Sequence, residues 1–119
     1  MSYDIKLRDP VTREVIVLDA PHQMRGGTYV LGGTAEAWLN VTYNYGKHYR
    51  RVMDGEQGIR WLYGKTGAES IARLREAAAA LGDDVTEDYW EATEGNAKAA
   101  LLQLLAIAQI RPDGVWDGD

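Results

Sequence analysis

Apolar and polar residues alternate from the start of the chain: Tyr3, Ile5 and Leu7 interleave with Asp4, Lys6 and Arg8. A period of two predicts a strand with one face in a core and the other in water. Asp9-Pro10 predicts a turn, because proline fixes φ and an aspartate side chain can bond the amides ahead of it. Val15 to Leu18 is again apolar and β-branched, so the two segments are expected to pair as an antiparallel hairpin that Ala20-Pro21 ends. Two Gly-Gly-Thr units in MRGGTYVLGGT mark a loop, or bound a short strand at Thr28 to Leu31. In AEAWLNVTYNY the alternation is clearest. Ala37, Leu39, Val41 and Tyr43 point to one side, and Trp38, Asn40, Thr42 and Asn44 to the other.

The period then changes. Tyr45, Tyr49, Val52 and Met53 fit one face of a short helix, with Lys47, Arg50 and Arg51 on its wet side and Asp54-Gly55 as the break. Ile59 to Tyr63 predicts a further helical turn. Thr66-Gly67-Ala68-Glu69 matches a capping box, a hydroxyl followed three residues later by an acid. The apolar stripe Ile71, Leu74, Ala78 and Leu81 extends that helix from about Gly67 to Leu81, with Gly82 expected in the left-handed position after it. After the acidic connection DDVTEDYWEAT, Thr93 caps a predicted helix from Glu94 to Ile110. Its run AKAALLQLLAIAQI is apolar on nearly every side, which predicts a central, buried helix. Arg111-Pro112 stops it, and the tail DGVWDGD is expected to fold back with Val115 and Trp116 on the core. Strands first and helices second predict a single α+β domain over residues 1–119. Its small antiparallel sheet, the N-terminal hairpin plus the central strand, would pack against two or three C-terminal helices.

Composition narrows the function classes. A chain of 119 residues builds one core. A net charge of -5 argues against a general nucleic-acid binder. Without cysteine there are no disulfides and no thiolate metal sites. The opening MSYDIKLRDP has no apolar signal core and no apolar run reaches the length of a membrane span, so a cytoplasmic protein with no membrane partner is expected. The chain has 7 Tyr and 4 Trp but no Phe, so every aromatic carries a polar handle. That suits a half-buried face or a binding surface.

The sharpest chemical question is Gly64-Lys65-Thr66. A phosphate-binding P-loop needs four residues between its first glycine and Gly-Lys-Thr, so that successive amides wrap the phosphates. Here the five residues IRWLY separate Gly58 from Gly64, and they are bulky. The reading that fits is a capped helix start, which still leaves amides that attract an anion. His22 and His48 are the only histidines and fall on different elements, and neither Ser2 nor Ser70 sits on a strained elbow. No catalytic residue, metal or cofactor is nominated.

Two sets of binding candidates follow. GKHYRR is a basic patch in which Lys47, Arg50 and Arg51 could hold a phosphate or an acidic partner. The second set is distributed. Arg25 beside Gly26-Gly27-Thr28, the strand face of Trp38, Asn40, Thr42 and Asn44, and the helix start carrying Thr93, Gly95, Asn96 and Lys98 would, if they converge, form a pocket for a nucleotide-like ligand. Trp38 would stack a base, the amides would take phosphates, and the asparagines would read edges. The plainer reading is that Trp38 and Asn40 cover the outer face of the sheet and Thr93 is only a cap.

The stretches PHQMRGGTY, EAWLNVTYNYGKHY, YGKTGAES, TEGNAKAAL and RPDGVWDGD resemble a family of short proteins from bacteriophages, prophages and other mobile elements of bacteria. The resemblance spans nearly the whole chain and brings no activity, cofactor or catalytic residue with it. It implies an accessory protein, non-enzymatic, that binds a host protein complex and inhibits a bacterial defence system. The competing expectation is a binder that sequesters a nucleotide-like molecule without turnover. An exposed sheet edge or the apolar last helix could also bury itself in a homodimer.

Overall fold

The computed structural model describes residues 1–23, 26 and 33–119. Strand β1 (Ser2–Arg8) lies at the centre of a three-stranded antiparallel sheet, between β4 (Trp38–Thr42) and β5 (Val115–Asp117). Tyr3 stands opposite Val41, Ile5 opposite Leu39, and Leu7 opposite Trp116. The predicted alternation holds with Tyr3, Ile5, Leu7, Leu39, Val41 and Trp116 all buried, but it fails at the end of β4, where Thr42, expected on the outer face, is buried too. Strands β2 (Val17–Gln23) and β3 (Gly33–Glu36) form a second, two-stranded antiparallel sheet. Three backbone bonds join the sheets: Leu7 N to Ala37 O at 2.8 Å, Ile16 N to Leu7 O at 3.0 Å, and Ala37 N to Ile16 O at 2.7 Å.

The expected hairpin shrinks to one bridge between Arg8 and Val15, made by Asp9 N to Glu14 O at 2.8 Å and Ile16 N to Leu7 O at 3.0 Å. The turn itself forms, since Asp9 Oδ1 accepts from Val11 N at 2.8 Å and Thr12 N at 3.0 Å. Arg13 then adopts φ 67, which redirects the chain. The central place of β1 goes to partners far along the chain because they bury more apolar surface than residues 15–18 offer. Nor does Ala20-Pro21 end a strand, for both residues lie inside β2. Proline is tolerated there because β2 pairs on one side only, and the register shifts between Val17 and His22. The short strand expected at Thr28 to Leu31 lies outside the described residues.

The helices follow the predicted order. A 3-10 turn (Tyr43–Tyr45) runs into α1 (Gly46–Val52), a second 3-10 turn covers Gly58–Leu62, and α2 (Gly67–Ala79) and α3 (Glu94–Ile110) pack together. Helix α2 stops earlier than the stripe implied, and Gly82 is not left-handed; among the described residues the glycines with positive φ are Gly58 and Gly64. The last turn tightens, with Ala80 N on Ala77 O at 3.2 Å and Leu81 N on Ala78 O at 3.2 Å, and beyond it Gly82 N donates to Glu94 Oε1 at 3.1 Å. Helix α3 matches its predicted bounds and buries Ala97, Ala100, Leu101, Leu104, Ile107 and Ala108.

The aromatic handles are used inside the protein. Tyr45 Oη donates to the Tyr89 carbonyl, and Tyr49 Oη to the Ala97 carbonyl at 3.0 Å. Tyr89 Oη accepts from Thr42 N at 2.6 Å, and Trp116 Nε1 donates to Ser70 Oγ at 2.8 Å. A phenylalanine at these positions would leave a buried carbonyl, amide or hydroxyl unpaired, at a cost of about 1–3 kcal/mol each. These rings belong to the core rather than to a contact surface, and among the described residues Trp90 is a large aromatic that stands exposed. Among the described residues no helix is long and apolar enough to cross a membrane.

Candidate functional site

The Gly-Lys-Thr entry to α2 has no amides left for a ligand. Gly67 N donates to Gly114 O at 2.8 Å and Ala68 N to Pro112 O at 2.9 Å. Glu69 N donates to Thr66 Oγ1 at 3.1 Å, while Glu69 Oε1 accepts from Thr66 N at 3.0 Å, which completes the capping box. The carboxylate and the carbonyls of the tail thus occupy the positive end of the helix. The bond from the Thr66 amide, with the Thr66 hydroxyl as the second cause, lowers the Glu69 carboxyl from its ordinary value. Lys65 does not reach toward a phosphate: its Nζ lies 4.7 Å from the centre of the Trp61 ring, which the Arg73 guanidinium also covers at 4.2 Å.

The start of α3 is filled in the same way. Thr93 Oγ1 accepts from Asn96 N at 3.1 Å, and Asp84 Oδ1 accepts from Gly95 N at 3.2 Å. Asn96 is fully buried, and its side chain serves the acidic connection that precedes it. Its Oδ1 accepts from Thr86 N at 3.0 Å, and its Nδ2 donates to the carbonyls of Asp88 and Glu91 at 3.1 Å each. Lys98 pairs with Asp83 at 2.8 Å. The structure therefore commits Asn96 and Lys98 to internal bonds, and a free amide terminus is not what Thr93 and Asn96 present.

The strand-face candidates are placed as the plainer reading expects. Asn40 stands across from Asp4 on the outer face of the sheet, donating to Asp4 Oδ1 at 2.8 Å and Ser2 Oγ at 2.7 Å. Trp38 lies opposite Lys6 on the same face, and its buried Nε1 has no hydrogen-bond partner among the described residues. Asn44 is beyond the strand, where its Nδ2 donates to the Trp90 carbonyl at 2.8 Å. Of the Gly-Gly-Thr segment, Arg25 and Thr28 lie outside the described residues, and Gly26 is buried with its N–H on Asn40 O at 2.7 Å.

The basic patch divides. Arg51 pairs with Glu94 at 3.1 Å, whereas Lys47 and Arg50 are exposed and have no carboxylate partner among the described residues. Each histidine ring meets a carbonyl: His22 Nε2 lies 2.6 Å from Glu36 O, and His48 Nε2 lies 2.8 Å from Ala92 O. Among the described residues no group of histidines and carboxylates could hold a metal ion.

A further concavity lies among residues that were not nominated from the sequence. A cleft of about 440 Å³ opens between β2 and the C-terminal half of α3. Leu18, Ala20 and Pro21 form one wall, and Ala106, Ile107 and Ile110 the other. Residues 18 to 22 line it on the β2 side. The signal was present in the all-round apolarity of α3. A helix in a domain this small cannot bury every side, and Leu102 and Ile110 stand exposed.

No protein-family profile matches the chain, and no curated protein or solved structure is significantly similar to it.

Proposed function

We propose that the protein is an accessory factor of a phage or other mobile element. On this reading it acts by binding a macromolecule of the bacterial host, a protein of a defence system, and inhibits it. The observation that carries the binding half is the apolar cleft of about 440 Å³ between β2 and α3. Apolar concavities of this size take a few anchoring side chains from a partner, and such anchors supply most of the energy of an interface. Ile110, one of its lining residues, is itself an exposed large apolar side chain. The biological setting is supported by the resemblance to short phage and mobile-element proteins described above. The occupant that fits is an extended apolar segment of a protein, lying along β2 with its side chains against Ala106 and Ile110.

The test is a plating assay in bacteria that carry individual defence systems and express either the wild-type chain or Ala106→Glu. Ala106 is exposed, so the variant keeps the fold while placing a charge in the cleft. Restored phage plating with the wild type, lost with Ala106→Glu, is the expected result. Unchanged plating across the panel removes the defence reading. A wild-type dimer that Ala106→Glu turns into monomer assigns the cleft to a second copy of the chain instead.

A further inference from the structure

The connection between α2 and α3 lies at the other end of α3 from the cleft. Five consecutive carbonyls there, those of residues 88–92, are each met by a side chain from another element. Asn96 Nδ2 donates to Asp88 O and Glu91 O at 3.1 Å each, Tyr45 Oη donates to Tyr89 O, and Asn44 Nδ2 donates to Trp90 O at 2.8 Å. His48 Nε2 lies 2.8 Å from Ala92 O. The Tyr89 ring is buried and meets Tyr45 edge to face at 5.6 Å. With these groups turned inward, Glu87, Asp88, Trp90 and Glu91 stand in water. We propose that Trp90 and the carboxylates of Glu87, Asp88 and Glu91 form a docking surface for a lysine- and arginine-rich segment of another protein.

Trp90 is 49% exposed, and Val85 on the same connection is 57% exposed. The backbone that carries the indole is fixed: Trp90 N donates to Asp88 Oδ1 at 3.0 Å, and the ring meets Tyr89 edge to face at 5.0 Å. Tryptophan is enriched among the side chains that carry interface energy, and one already held in place loses little freedom on binding. Charge selects the partner. Residues 83–94 hold six of the 18 acidic residues and no lysine or arginine, while the rest of the chain sets 13 basic residues against 12 acidic ones. The net charge of -5 is therefore concentrated on this connection. Asp83 and Glu94 are matched by Lys98 and Arg51, and Asp84 accepts from Gly95 N. Glu87, Asp88 and Glu91 form no ion pair among the described residues. Like charges this close repel, yet the bonds from Asn44, Tyr45 and Asn96 hold their backbone in place. A cationic segment relieves that repulsion, and the field steers its approach. Lysine and arginine stems also suit the face of an indole while their heads reach carboxylates.

The test is isothermal titration calorimetry of the full chain at physiological salt. The probe is a synthetic peptide of alternating lysine, arginine and leucine, and its control has glutamate in place of the basic residues. Saturable binding of the basic peptide alone is expected. Trp90→Ala, at an exposed position, should weaken it about tenfold or more, the size of an interface anchor. Glu87→Gln combined with Glu91→Gln should weaken it and make it less sensitive to salt. Glu56→Gln combined with Glu76→Gln removes the same charge from exposed positions elsewhere and should leave it unchanged. Ala106→Glu, in the cleft, should also leave it unchanged, which separates this surface from the cleft reading. Melting curves establish that each variant is folded. No saturable binding, an equal loss in the Glu56 and Glu76 double variant, or affinity that both Trp90→Ala and the Glu87 and Glu91 double variant leave intact overturns the surface. Loss in Ala106→Glu alone assigns the peptide to the cleft and overturns it as well.

Discussion

Trp116 Nε1 donates to Ser70 Oγ at 2.8 Å, and that hydroxyl donates onward to the Gly67 carbonyl at 2.8 Å. The pair ties the edge strand β5 to the first turn of α2, and both residues are buried. Ser70→Ala should cost about 1–3 kcal/mol, because it strands the indole N–H in the core. Trp116→Phe in the Ser70→Ala background should cost less than in the wild type, since the orphaned donor is already removed. Urea denaturation of the two single variants and the double variant measures this coupling.

Gly67 predicts a reversal of the usual helix rule. At the first position of an exposed helix, alanine for glycine stabilises by roughly 0.5–1 kcal/mol. Here a Cβ would stand 2.9 Å from Arg111 O and 3.1 Å from Pro112 Cα, both backbone atoms of the returning tail. Gly67→Ala is therefore expected to lower the melting temperature. Ala72→Ser, on the exposed face of the same helix, should change stability by less than about 0.5 kcal/mol and serves as the control. An unchanged or raised melting temperature in Gly67→Ala would mean the tail does not lie against α2 as described.

Asn96 gives a test that separates architecture from binding. Its amide holds Thr86 N and the carbonyls of Asp88 and Glu91, so Asn96→Ala should destabilise by about 1–3 kcal/mol. Hydrogen exchange should rise across residues 84–92 before it rises in α2. A variant of wild-type stability with unaltered exchange would return Asn96 to the list of available ligand residues.

The buried tyrosines set an alkaline limit. Burial pushes the Tyr49 phenol well above its ordinary value of 10.0, with the neighbouring Tyr45 and Tyr89 adding to the shift. Burial raises Tyr45 likewise, with Tyr89 as the second cause. Above pH 10 the unfolded chain releases these protons while the folded chain holds them, so the folded state binds more protons and stability falls as pH rises. Below that pH the contribution is fully present. Melting temperatures between about pH 9 and 12 should drop steeply, and Tyr49→Phe should make the slope shallower even though it is less stable at neutral pH.

Much of the fold was legible because its signals are local. The Thr66 and Thr93 caps sit within four residues of the amides they bond, and the bounds of α3 follow from Thr93 and Pro112. The alternation at Leu39 and Val41 marks its own buried face. The sequence by itself thus determined the α+β class, the two long helices with their capped starts, and which face of β1 and β4 is core. Only the tertiary structure decided that β1 pairs with residues 38–42 and 115–117, and that tail carbonyls consume the α2 amides. It also decided that Asn96 faces its own loop, and that β2 and α3 leave a cleft between them. The physical reason is one of range. Caps and periodicity depend on neighbours a few residues away, whereas strand partners, shared amides and cavities depend on which distant surfaces bury the most apolar area together.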